Sequence, residues 1–185
     1  MGSDREPEDT IPRTFVGGPS HPMCLADQPG TCAELDVAAP VEEVWALVTD
    51  IELPARFSEE FRGASWLDDG PAPGARFVGR NEHPAIGEWE VECFVEACQP
   101  PRAFGWANGD RAAPGARWRF DLEPTDDGTR LRFSMSMGPG PSGISMAIAA
   151  MPEKEPRILH RRVGEHHANM VRTLEGIRDL AEGRA

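Results

Sequence analysis

EWEVECFVEA, Glu88 to Ala97, alternates charge with bulk along nearly its whole length. Trp89, Val91, Cys93 and Val95 fall on one side, and Glu88, Glu90, Glu92 and Glu96 on the other. Successive side chains leave a strand in opposite directions, so a period of two marks a strand with one wet side and one covered side. The fold turns on what covers the apolar side: a second sheet, a helix, or a cavity that holds a ligand.

The same period runs through the flanking sequence. GASWLDDG, ARFVGRNE, GEWEVECFVEA, PRAFGWAN, ARWRFDLEP and TRLRFSMSM read as six successive strands between residues 63 and 137. Turn signals at Asp69-Gly70, Pro73-Gly74, Pro100-Pro101, Gly109-Asp110 and Asp127-Gly128 part them. Their apolar sides carry Phe77, the four residues of the opening stretch, Phe104 and Trp106, then Trp118, Phe120 and Leu122, and finally Leu131, Phe133, Met135 and Met137. The other sides carry Arg117, Arg119, Asp121, Arg130 and Arg132, which can pair across strands with the glutamates of the opening stretch. That is a solvated charge ladder on a one-sided antiparallel sheet. Arg76, Arg80, Ser134 and Ser136 alternate outward with it.

Upstream, TCAELDVAA (31–39) reads as one more strand. Pro40 then opens PVEEVWALVTD, where proline at the first helical position and two acids in the first turn suit the positive end of a helix. IELPARFSEEF, Ile51 to Phe61, reads as a second short helix. From Glu155 onward Leu159, Val163, His167, Met170, Leu174, Ile177 and Ala181 recur at steps of three and four. They predict one amphipathic helix of roughly 27 residues, about 40 Å long.

These elements predict an α+β fold: a seven-stranded curved antiparallel sheet wrapped around a long C-terminal helix, with two short helices after the first strand. Such a sheet cannot close completely on one helix, so a pocket is expected between them. Residues 1–30, rich in proline, glycine and charge, are expected to be a mobile arm, and 31–185 the domain.

Composition narrows the function. The chain has 185 residues, room for one domain with a core, and 39% hydrophobic and 27% charged residues are ordinary for a globular protein. A net charge of -12 argues against nucleic acid and anionic membrane surfaces. MGSDREPEDTIPRTF has no basic region followed by an apolar run, no stretch is long enough to span a bilayer, and Cys24, Cys32, Cys93 and Cys98 show no metal-like or disulfide-framework spacing. A cytoplasmic protein with reduced thiols, no cofactor and no integral membrane association is expected.

The chain resembles the SRPBCC superfamily of START- and Bet v-like helix-grip proteins, and within it the bacterial polyketide cyclase/dehydrase-like group. VAAPVEEVWALVTDIELPARF (Val37 to Phe57), GARFVGRN, the tryptophan start of EWEVECFVEACQPPRAFGW, ARWRFDLEPTDDGTRL and the terminal HANMVRTLEGIRDLAE carry the likeness, over residues 31 to 182. The resemblance implies a deep apolar cavity between sheet and C-terminal helix, opening near the N-terminal half of that helix. It does not imply one reaction, since this fold hosts carriers, receptors and cyclases. Cyclases of the superfamily are thought to use tyrosine and arginine in the cavity; this chain has no tyrosine, and its strand arginines point mostly outward.

The expected cavity lining is Phe77, Asn81, Trp89, Val91, Phe104, Trp106, Trp118, Phe120, Phe133 and Met135 from the strands, Val163 and Met170 from the last helix, and Ile144 and Ile148 from the apolar run ISMAIAAM before it. That run is fenced by Gly143 and Pro152 and is expected to form a short helix or turn that closes the pocket. Asn81 shares the side of Phe77, while Asn108, close to a turn, reads as structural. His166 and His167 flank the helical stripe; one of them should face the cavity as a general acid/base, with His167 nearer the stripe centre by phase. The plain alternative is a histidine at the core edge bonded to a carbonyl or water. His160 and His167, seven apart, are too distant for one metal ion, and no metal is expected.

The sequence thus predicts a cavity that binds a small hydrophobic molecule such as a polyketide, lipid or isoprenoid. A cyclase/dehydratase-type enzyme is the first alternative. A ligand-free interaction module is the second, with Ile144 to Met151 covered by a partner or by a second copy in a homodimer.

Overall fold

The computed structural model describes residues 22–184. Seven strands form one antiparallel sheet: β1 (Gly30–Val37), β2 (Phe61–Trp66), β3 (Arg76–His83), β4 (Gly87–Gln99), β5 (Ala103–Gly109), β6 (Pro114–Thr125) and β7 (Gly128–Met137). Their order across the sheet is β1-β7-β6-β5-β4-β3-β2. Strands β2 to β7 follow one another as a meander, and β1 closes the far edge on β7, where Ala33 pairs with Phe133. Three helices complete the fold: α1 (Val41–Val48), α2 (Gly143–Ala150) and α3 (Glu155–Ala181). The 27 residues of α3 lie along the concave face of the sheet. This is the helix-grip α+β architecture.

Registers explain why the aromatic side chains gather on that face. Cys93 of β4 pairs with Phe77 of β3 and with Asn108 of β5, while Trp106 of β5 pairs with Trp118 of β6, which pairs with Met135 of β7. A bulge between Val95 and Ala97 resets the β4 alternation, so that Val95 lies opposite Trp106 and Cys98 opposite Phe104. Phe120 and Phe133 stack with centroids 4.0 Å apart, and Phe104, Phe120 and Leu131 are buried completely or nearly so. On the convex face Arg117 meets Glu96 at 3.2 Å, as the sequence predicts, and outward-facing Arg76 meets Glu92 at 3.7 Å, but Arg119 turns to Asp121 and Arg130 to Asp36 of β1. Phe94, the one bulky lapse on this side of β4, is buried beneath the Arg111 guanidinium, 4.9 Å from its ring centre.

The second short helix after β1 is present but shorter than Ile51 to Phe61: it is a 3-10 helix over Leu53–Arg56, and Phe61 already begins β2. Pro54 starts the turn, and the Ser58 hydroxyl then accepts hydrogen bonds from the backbone of Glu60 and Phe61, which ends any helical path. β2 consequently ends at Trp66, leaving Leu67 exposed. The arm expectation for residues 1–21 lies outside the described residues. Residues 22–29 are fastened to the body: Leu25 donates its backbone N–H to the Glu155 carboxylate at 2.8 Å, and Met23 and Leu25 pack against the core. The helix expected in ISMAIAAM is α2, capped by Ser142 and Ser145, each accepting the other's backbone N–H.

Candidate functional site

A cavity of about 390 Å³ lies between the sheet and the helices, within the range usual for small-molecule sites. Its floor is the aromatic face of the sheet. Phe77, Trp106, Trp118 and Phe133 meet one another at centroid distances of 5.8 to 6.4 Å, edge-on, tilted or stacked. Twelve of the residues expected in the lining are there: Phe77, Asn81, Trp89, Val91, Phe104, Trp106, Trp118, Phe120, Phe133, Met135, Met170 and Ile144. Val163 and Ile148 are not. Val163 is buried in the packed core, and Ile148, one turn beyond Ile144 on the same face of α2, packs against the core outside the lining.

The rim is apolar and partly exposed. Ile144 and Met146 of α2 sit beside Ile86 from the β3–β4 turn, and Met146 is 68% exposed and Ile86 47%. The loop before α2 is held by its backbone: Gly138 and Gly140 donate their N–H groups to the carbonyls of Gly115 and Pro114 at 2.8 and 3.1 Å. The places a Cβ would occupy at Gly138 and Gly140 fall 1.9 Å from the backbone oxygens of Pro114 and Ala113, so only glycine lets this loop lie against the start of β6. Asp50, Ile51 and Pro54 line the opposite side.

The helix wall is polar. Arg162, His166, Asn169 and Thr173 recur at steps of four, three and four and form a row on α3 that faces the cavity. Phase had put His167 nearer the centre of the buried stripe; in the structure His166 is the cavity histidine. The buried stripe is two rows wide. The row of His167 leans on β1, where its Nδ1 lies 3.0 Å from the Thr31 hydroxyl, and the neighbouring row looks into the cavity. The His166 imidazole stands edge-on to Trp118 at 5.1 Å between centroids. Burial, then the charges of Arg162 and the nearby His83, hold its pKa well below the ordinary 6.5, so it is neutral at neutral pH. Burial alone lowers His167.

Beside His166 lies an ion pair the sequence reading did not find. Both Arg162 and Glu60 are buried, and the guanidinium holds the Glu60 carboxylate with two bonds of 2.5 Å. Arg162 also donates to Glu165 at 3.3 Å, and Glu165 accepts from Arg161 and faces His83 Nε2 at 3.5 Å. Burial works against the charge of Arg162, but the bonds from Glu60 and Glu165 outweigh it and raise its pKa further. A signal for Arg162 existed: it stands three residues after Leu159, in phase with the apolar stripe, and a charge in such a position demands a partner. Nothing in SEEF distinguishes Glu60 from exposed Glu59. Cys93 also lines the cavity; burial pushes its thiol up to about 12, which makes it a core group rather than a nucleophile. Among the described residues no cluster of His, Cys, Asp and Glu is placed to hold a metal, and no helix is long and apolar enough to cross a membrane.

An antiparallel sheet gripping one long helix around an apolar, partly polar-walled cavity defines a helix-grip protein of the ligand-binding kind. The family described as "polyketide cyclase / dehydrase and lipid transport" matches residues 33–161, and the chain belongs to that family. A polyketide-cyclase-like protein of Corynebacterium glutamicum is 30% identical, with a TM-score of 0.59, covering 83% of this chain and 91% of its own. The di-domain ARO/CYC protein StfQ of the steffimycin biosynthetic pathway shares the fold at TM-score 0.64 and 16% identity; the match covers 84% of this chain and only 51% of StfQ. A Mycobacterium smegmatis protein shares the fold at TM-score 0.55 and 18% identity, covering 86% of this chain and 94% of its own. No curated protein matches the chain in sequence.

Proposed function

We propose that the protein binds a small hydrophobic molecule, of polyketide, lipid or isoprenoid type, in the cavity between sheet and α3. One observation carries this reading: a cavity of about 390 Å³ floored by Phe77, Trp106, Trp118 and Phe133 stays open although the core around it is closely packed. Native mass spectrometry of the purified protein should reveal a retained small molecule, or the protein should take up the uncharged dye N-phenyl-1-naphthylamine with a rise in its fluorescence. Val91→Trp, which fills the cavity with an indole, should abolish dye binding while the melt stays cooperative. Dye binding that survives this substitution would place the binding surface elsewhere and end the proposal.

His166 favours a second reading, in which the bound molecule also reacts. A neutral imidazole in an apolar cavity can take a proton from a carbon between two carbonyls; the enolate adds to a ketone carbon of the same chain, whose C=O π pair becomes an alkoxide that takes the proton back, and the imidazole then moves a second proton from the first carbon to the departing hydroxyl, which leaves as water. A poly-β-ketone thioester should then cyclise faster with the protein than without it, and His166→Gln should remove the acceleration but not dye binding. Equal rates in both proteins would leave binding as the whole function.

A further inference from the structure

The polar side chains that face the cavity divide by whether they make any hydrogen bond within the protein. Asn108 accepts the Ala116 backbone N–H at 2.6 Å. Ser58 accepts two backbone N–H groups, from Glu60 and Phe61. The Asn169 side-chain oxygen accepts from Glu59 and Arg172, and the Thr173 hydroxyl donates to the Asn169 carbonyl. The Arg162 fork is spent on Glu60 and Glu165. Two groups remain. The Asn81 amide and the His166 imidazole make no hydrogen bond to any described residue, although both line the cavity. They belong to the same end of it: Asn81 shares a side of β3 with His83, and His83 faces Glu165, the α3 neighbour of His166.

We infer that the cavity selects an uncharged hydrophobe bearing a carbonyl or hydroxyl group, and discriminates against the carboxylate of the same skeleton. The inference rests on the binding reading above and gives its ligand a chemical class. Asn81 offers a donor and an acceptor, and a neutral imidazole offers one of each, which matches a ketone, ester or hydroxyl without bringing any charge. An anion would be enclosed beside a guanidinium whose charge already serves two carboxylates, with no other cation among the described residues of the lining. Asp50 at the rim and the net charge of -12 oppose its approach as well.

Three near-isosteres test this by displacing N-phenyl-1-naphthylamine from the full-length protein: 2-acetylnaphthalene, 2-methylnaphthalene and 2-naphthoate. The ketone should compete best and the carboxylate worst, with at least about a tenfold gap between them, as expected for an unpaired charge held from water. Naphthoate competing as well as the ketone overturns the inference and leaves the binding reading intact; failure of the dye itself to bind removes both. Glu60→Gln releases part of the Arg162 fork and should narrow the carboxylate gap, checked against a cooperative melt. Should that variant not fold, Asn81→Leu serves instead and should reduce the advantage of ketone over methyl severalfold. An unchanged ketone advantage in Asn81→Leu also overturns the assignment.

Discussion

The sheet wall of the cavity and its helix wall are made on different terms. On the sheet, Phe104, Phe120, Phe133 and Met135 are at most 5% exposed, and they face inward because every second residue of a strand does. On α3, the row of Arg162, His166, Asn169 and Thr173 is polar, and each member is tolerable only through what it meets. Arg162 is matched by Glu60, a residue 102 positions earlier in the chain. The apolar wall is therefore a local consequence of alternation, and the polar wall a consequence of assembly. In the binding mode proposed above, the sheet wall supplies the volume for a ligand, and the helix wall, together with Asn81, its orientation.

The comparison breaks first under substitutions that delete packing. Phe120→Ala should cost roughly 3–5 kcal/mol in chemical denaturation, since it deletes a ring that is 1% exposed and stacked on Phe133 at 4.0 Å. Arg119→Ala, on the wet side of the same strand, should cost little. Equal losses would mean the two sides of β6 are not distinct. Trp118→Ala should fall between them in stability, because part of its ring borders the cavity rather than packed atoms, yet should weaken dye binding more than Phe120→Ala does.

On the helix wall Arg162→Leu should be costly, by roughly 3–5 kcal/mol, because it strands a buried Glu60 carboxylate. Adding Glu60→Leu should recover part of that loss. A double mutant no better than the single would show that the pair holds nothing beyond its own packing.

Titration separates the walls more gently. His166 and His167 have folded pKa values below the ordinary 6.5, so the unfolded chain binds their protons more readily. Their contribution to stability is complete above pH 6.5 and is lost progressively as pH falls below it. Glu165 acts further down. Burial opposes its charge, but Arg161 and Arg162 win and set its pKa below 4.5, so its contribution is present above that value and lost as pH falls through the lowered one. His166→Phe should flatten the melting-temperature profile between pH 6.5 and 5 without altering the more acidic limb. An unflattened profile would show that His166 is protonated in the folded state.

The smallest effect is expected at the rim. Ile144→Ser should weaken dye binding severalfold with little change in the melt, whereas Ile148→Ser, outside the lining, should leave the affinity as it was. If both variants instead changed the oligomeric state, α2 would be an interface, and the rim would belong to a partner rather than to the ligand.

The sequence was most informative where one residue's surroundings follow from its neighbours in the chain. Alternation in β3 to β7, the proline and acids that open α1, and the three-four spacing of α3 each report a local constraint, and the elements formed where those signals lie. The aromatic lining was legible for the same reason. The second short helix is legible in Ile51 to Phe61 but its length is not, because Pro54 suits the start of an α-helix and of the 3-10 helix that formed, and the terminating bonds of Ser58 depend on where β2 begins. The two adjacent histidines mark the limit. Helical phase placed both near the stripe, since steps of three and four from Val163 reach His166 and His167 alike. Only the lie of α3 across the sheet, with Thr31 on one side and Trp118 on the other, sends one to β1 and the other into the cavity. By itself, then, the chain determined the strands, the long helix and an apolar face for them to share, because periodicity is written residue by residue. Tertiary structure decided which polar groups are spent on each other and which stay unpaired at the cavity, because hydrogen-bond partners distant in the chain become neighbours only when the sheet closes on the helix.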